Sequence, residues 1–128
     1  MKDTPIILSE ESYKIIGACM TVHRELGSGL LEAIYQEALE EEFKILKLPY
    51  IREAPLEIFY KNKLLNKKYQ VDFISQNKII IELKAVSKLE KSHESQMINY
   101  LNITKIKVGL LVNFANDKLE YKRFINTK

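Results

Sequence analysis

Three consecutive β-branched residues, Ile79, Ile80 and Ile81, followed by Glu82, Leu83 and Lys84, constrain the fold of this chain more than any other segment. A run that is apolar at every position has no solvent face, so it reads as a central strand covered on both sides. Its end is different. With a two-residue side-chain period, Glu82 and Lys84 share one face while Ile81 and Leu83 share the other, so a carboxylate and an ammonium leave a buried strand together. Desolvating two charges is costly and a buried ion pair returns little stability, so a metal site explains the arrangement better than a structural pair. If this end of the strand emerges into solvent, the two are an ordinary surface pair.

Around this strand the chain alternates between helical and extended patterns. Ser9-Glu10-Glu11 opens a helix, and Ile15, Ile16, Cys19, Met20, Val22 and Leu26 recur at near-helical spacing as far as Gly27. Beyond the Gly27-Ser28-Gly29 turn, Leu31, Ile34, Tyr35, Ala38, Leu39 and Leu46 trace a second stripe that Leu48 and Pro49 end. Leu56–Tyr60 and Tyr69–Ile74 alternate and are expected to pair antiparallel through a hairpin-like connection containing Lys61-Asn62-Lys63. Ser92 caps a third helix running to Ile103, Val108–Val112 is another continuously apolar strand, and Leu119–Ile125 is a short alternating one. The expected order is ααβββαββ: an antiparallel meander, then a right-handed crossover through the third helix to a parallel strand. That is a mixed α/β (α+β) fold, a central sheet flanked by helices, in one domain spanning residues 1–128.

A chain of 128 residues buries about two-thirds of its unfolded surface and needs no disulfide or structural metal to fold. Cys19 is its only cysteine, which excludes an internal disulfide and cysteine-rich zinc or iron–sulfur sites and suits a reducing cytoplasm. Met1-Lys2-Asp3-Thr4-Pro5 lacks a signal-peptide core and no apolar run approaches the ~18 residues of a membrane span, so a soluble cytoplasmic protein is expected. The net charge of +3 permits binding to a polyanion without announcing it. Its distribution says more: Lys61, Lys63, Lys67 and Lys68 form one cluster, and Lys88 and Lys91 follow Lys84 in another. Either could face phosphate or form a solvated surface.

Asp72 lies ten residues before Glu82, where an antiparallel partner strand can set the two carboxylates side by side. Like charges so placed repel unless a divalent cation lies between them, and Mg²⁺ characteristically uses one or two carboxylates with waters and phosphate. Glu32 falls in the first turn of the second helix, with Tyr35 and Gln36 on its face at i+3 and i+4, and Tyr35 is expected to reach substrate. A Glu there is also favoured by the helix dipole whatever its function. Gln96 and Tyr100 lie one turn apart on the third helix. Neither His23 nor His93 has a metal-ligand spacing, and both read as structural or surface residues.

The D-x9-E-x-K spacing of Asp72, Glu82 and Lys84 resembles the PD-(D/E)XK nuclease superfamily, with its restriction-endonuclease-like core, although Val71 stands where the motif has proline. Gly29-Leu30-Leu31-Glu32-Ala33-Ile34-Tyr35 narrows the resemblance to the GxxExxY family, supported by Gln96-x-x-Asn99-Tyr100-Leu101 and Gly109-Leu110-Leu111-x-Asn113-Phe114. The resemblance implies a hydrolase that cleaves phosphodiester bonds of nucleic acid, DNA above all, to leave a 5′ phosphate. It assigns Glu32, Asp72 and Glu82 to Mg²⁺ or Mn²⁺ and Lys84 to the attacking water. Gln96 would meet phosphate or orient Lys84, and Tyr100 would offer a hydroxyl and a stacking face. Lys61, Lys63, Lys67, Lys68, Lys88 and Lys91 would contact the backbone. The alternative is a nucleic-acid-binding or protein-interaction module that keeps the fold with little or no turnover. A core this small has few insertions with which to grip a duplex, so a homodimer or a larger partner is a further expectation.

Overall fold

The computed structural model describes residues 8–127; the leaderless start read at Met1–Pro5 lies outside them. Two helices, α1 (Ser9–Leu26) and α2 (Glu32–Leu46), precede strands β1 (Ile51–Leu56), β2 (Phe59–Tyr60), β3 (Lys63–Leu64), β4 (Tyr69–Ser75) and β5 (Ile79–Lys84). Helix α3 (Lys91–Thr104) leads to β6 (Val108–Asn113) and β7 (Glu120–Ile125). Five strands form a mixed sheet in the order β1-β4-β5-β6-β7, parallel only between β5 and β6, while β2 and β3 pair apart from it.

Each predicted helix is present, and the isoleucine strand is central. One sheet face, with Phe73, Ile79, Ile81, Leu83, Leu110 and Val112, packs on α1 and α2 through Ile15, Cys19, Leu39 and Phe43. The other, with Ile80 and Leu111, packs on Met97, Tyr100 and Leu101 of α3. Helix α3 lies so near β6 that a Cβ on Gly109 would collide with the Met97 thioether, so the crossover helix requires glycine there. No helix among the described residues is long and apolar enough to cross a membrane.

The first strand departs from the expected Leu56–Tyr60. The partner of β4 is Ile51–Leu56, and Phe59–Tyr60 instead turns back on Lys63–Leu64 as a small hairpin. Lys61 and Asn62 both adopt left-handed backbone (φ 49° and 68°), the requirement of a two-residue type I′ turn, and so close the hairpin one step after Tyr60. Helix α3 is capped by Glu90, not Ser92, and begins at Lys91, because Glu90 and His93 form a reciprocal capping box in which the Glu90 N–H donates to His93 Nδ1 at 2.9 Å.

Candidate functional site

Regular pairing between β4 and β5 stops at Phe73–Ile81. One step further Asp72 stands opposite Glu82, and their side chains take over from the ladder. The Asp72 N–H donates to Glu82 Oε1 at 2.8 Å, and the Leu83 N–H donates to Asp72 Oδ2 at 2.8 Å. The pairing of β1 with β4 also skips this position, stepping from Arg52–Phe73 to Ala54–Val71 and leaving Glu53, in left-handed backbone (φ 51°), across from Asp72. Asp72 therefore sits where its strand is released on both sides. The release breaks the alternation of β4: Phe73 belongs to the α1/α2 side of the core and Val71 to the α3 side.

Glu82 is only 8% exposed. Burial first, and then the neighbouring Asp72 charge, push its carboxyl up to about 8. Asp72 is raised too, by burial above all, against the pull of the Leu83 N–H and of Lys84. Glu32, the first residue of α2, is exposed and lines a cleft of about 160 Å³ with Gln36, Glu53, Gln70 and Asp72. Its carboxyl is raised by partial burial and by Asp72, while Lys84 and His93 pull it down. The charge of Lys84 thus reaches Glu32, Asp72 and Glu82 alike. A larger groove, about 590 Å³ between α1 and the end of α2, lies away from these groups among Ala18, Thr21, Leu46 and Pro49. Volume does not locate the chemistry here.

A chain of hydrogen bonds missed by the sequence reading holds Asp72 from behind. Gln36 Nε2 donates to Asp72 Oδ1 at 2.9 Å, Arg52 Nη2 donates to Gln36 Oε1 at 3.0 Å, and Arg52 Nη1 meets Glu40 Oε1 at 2.7 Å. Tyr50 closes the chain by donating to Glu40 Oε2 at 2.8 Å. Because Arg52 only donates, it fixes the Gln36 amide with oxygen toward itself and nitrogen toward Asp72. Beyond Lys84 the strand exit is held by the fully buried Asn113, whose Oδ1 accepts the Val86 N–H and whose Nδ2 donates to the Val86 carbonyl. The motif Gly109 to Phe114 contained Asn113 without indicating this part.

Other predicted residues fall in different places. Tyr35 does not face substrate: it is fully buried, stacked on Phe114 at 4.6 Å, and its hydroxyl donates to the Gly27 carbonyl at 2.6 Å. It pins the Gly27-Ser28-Gly29 turn, where Gly27 and Gly29 take positive φ. Tyr100 is buried beside the acidic pair, its phenol pushed up to about 12 by desolvation and then by Glu82, and its ring lies 5.3 Å from that of Tyr69. Gln96 is exposed on α3 and takes no part in the hydrogen bonds around Asp72 and Glu82. Lys61, Lys63, Lys67, Lys68, Lys88 and Lys91 are all exposed.

The family model of the PD-(D/E)XK nuclease superfamily matches residues 9–124, and the chain belongs to that superfamily. Its members generally use divalent metal ions such as Mg²⁺ or Mn²⁺. Among solved structures, the crystal structure of SSO0001 is similar with a TM-score of 0.57 and 21% identity, covering 93% of this chain and 59% of that one. That likeness is one of fold, and this chain spans well under two-thirds of the longer protein. No curated protein matches the chain.

The acidic pair fits such an ion in donor type. Burial raises both carboxyls, the Asp72 charge raises Glu82 further, and the hard oxygens of the two suit Mg²⁺ or Mn²⁺. Among the described residues no three His, Cys, Asp or Glu side chains are grouped to enclose an ion. Glu32 lines the same cleft as Asp72, and water and phosphate would complete the shell, as is usual for Mg²⁺.

Proposed function

We propose that this chain is a metal-dependent nuclease of the GxxExxY family that hydrolyses phosphodiester bonds of DNA. The observation that carries this reading is the half-buried Asp72 beside the buried Glu82 at the point where β4 releases from β5, with the Lys84 charge acting on both carboxylates. Asp72 and Glu82 would hold Mg²⁺ or Mn²⁺ directly, with Glu32 acting through water from the first turn of α2. A bound divalent ion supplies a lowered pKa for water and polarisation of a phosphate oxygen. Lys84 would orient the attacking water and balance the charge that develops on the phosphate. Gln36 and the Leu83 N–H fix both Asp72 oxygens while leaving each a second lone pair. Gln96, exposed on α3, would meet substrate phosphate, and Lys88 and Lys91 would contact the backbone without reading sequence.

The test is cleavage of end-labelled single- and double-stranded DNA with Mg²⁺ or Mn²⁺ by the wild type, Asp72→Ala and Lys84→Ala. Cleavage by the wild type should fall by about 10²-fold or more in each variant. Metal binding by calorimetry without any cleavage would replace the nuclease with a binding module, and cleavage that survives Asp72→Ala would move the centre elsewhere.

A further inference from the structure

The segment between β1 and β4 is an arm standing at the same end of the sheet as the acidic pair. Leu56 and Tyr69 face each other across β1 and β4, so the residues between them leave from the end of the sheet at which β5 finishes with Lys84. They form their own two-stranded pair, Phe59 opposite Leu64 and Tyr60 opposite Lys63. Two-residue strands cannot cover an aromatic side chain, and Phe59 and Tyr60 remain 60% and 62% exposed. The arm carries Lys61, Lys63, Lys67 and Lys68 against the single acid Glu57, and the Lys61 ammonium stands 5.5 Å from the centre of the Tyr60 ring. At its base Tyr69, 48% exposed, lies against Tyr100, which feels the charges of Glu82 and Asp72. Exposed rings and cations thus lead from the hairpin tip to the acidic pair.

We propose that this arm is a stacking platform for an unpaired polynucleotide, its bases lying on Phe59, Tyr60 and Tyr69 and its phosphates meeting Lys61, Lys63, Lys67 and Lys68. The proposal rests on the nuclease reading above and names the substrate class: single strands or frayed ends. The faces of bases are accessible to a ring only where the bases are unstacked and unpaired. A duplex would be held through its grooves and over a large area, and a hairpin of two-residue strands supplies neither a groove-filling helix nor an arginine fork. The mixture of rings with lysines gives binding that depends on salt but little on sequence.

The test is binding of fluorescently labelled single-stranded and blunt hairpin-duplex oligonucleotides to the full chain, by anisotropy in EDTA so that no cleavage is needed. The wild type should prefer the single strand. Phe59→Ala with Tyr60→Ala should weaken that binding by about tenfold or more while leaving duplex binding, thermal stability and Mg²⁺ titration unchanged. Phe59→Tyr with Tyr60→Phe should restore it, and Lys63→Gln with Lys67→Gln should lower the salt dependence. Equal affinity for the two oligonucleotides, equal loss on both, or single-strand binding indifferent to the paired Ala substitutions would each overturn the proposal. So would binding of an acidic peptide that depends on the same two rings as strongly. Ring-dependent single-strand binding without cleavage would leave the arm standing and sink the nuclease reading; cleavage indifferent to the rings would do the reverse.

Discussion

Ile79, Ile80 and Ile81 in the first half of β5 pair with β4 on one side and β6 on the other, whereas Glu82, Leu83 and Lys84 pair with β6 alone. The first half is buried on both faces by side chains that ask nothing of their neighbours but volume. The second half replaces ladder hydrogen bonds with bonds to carboxylates that burial and mutual repulsion oppose. The same strand thus carries a region selected for packing and a region where stability is given up to hold charge. Glu53 repeats the pattern in β1, since left-handed backbone at a non-glycine costs about 1–2 kcal/mol and occurs here opposite Asp72.

The contrast breaks first if the isoleucine half proves dispensable. Ile80 is fully buried in the cluster formed with α3, so Ile80→Ala should cost about 2–5 kcal/mol in urea unfolding. A loss below about 1 kcal/mol would mean that the core collapses around the change and that the packed half is less specified than its burial implies.

A smaller effect should sharpen the other half. The chain from Tyr50 through Glu40, Arg52 and Gln36 holds Asp72 in one orientation, and side chains that orient ligands typically contribute about 10–100-fold to metal affinity. Gln36→Ala and Arg52→Ala should therefore weaken Mg²⁺ binding by that order in calorimetry. Unchanged affinity accompanied by a lower Tm would make the network a brace for β1 and α2 alone.

These two halves also differ in how far they could be read from sequence. Consecutive isoleucines, helical stripes and the spacing of Asp72 from Glu82 and Lys84 are local patterns, and the central strand, the three helices and the opposition of the two acids follow from them. Strand β1 was misplaced because Glu53 and Pro55 interrupt Ile51–Leu56, while Leu56–Tyr60 alternates more regularly and runs into the hairpin. The Gln36 network was invisible because its members come from α2, β1 and β4 and meet only after folding; Gln36 and Asp72 are 36 residues apart. Tyr35 was misread for the converse reason: its place in the helical stripe was correct, but the carbonyl that takes its hydroxyl belongs to the preceding turn.

The smallest effect tests whether charge, not shape, is what destabilises the second half. Folded Glu82 holds its proton up to about 8, whereas the unfolded side chain releases it near 4.5, so between those values the folded state binds the extra proton. Stability in EDTA is then fully present below 4.5 and falls as pH rises toward about 8, and the raised Asp72 adds to the same slope. Glu82→Gln reproduces the protonated form: its oxygen can accept the Asp72 N–H and its amide can donate to the Asp72 carboxylate. The variant should match the wild type near pH 4.5 and exceed it near pH 8 by at least about 1 kcal/mol, or about 3–5 °C in Tm for a chain of this length. Adding Mg²⁺ should reverse the order, since only the wild type keeps both carboxylates to bind it. A variant no more stable than the wild type at pH 8 in EDTA would show that the open end of β5 is held by geometry that the charge does not strain.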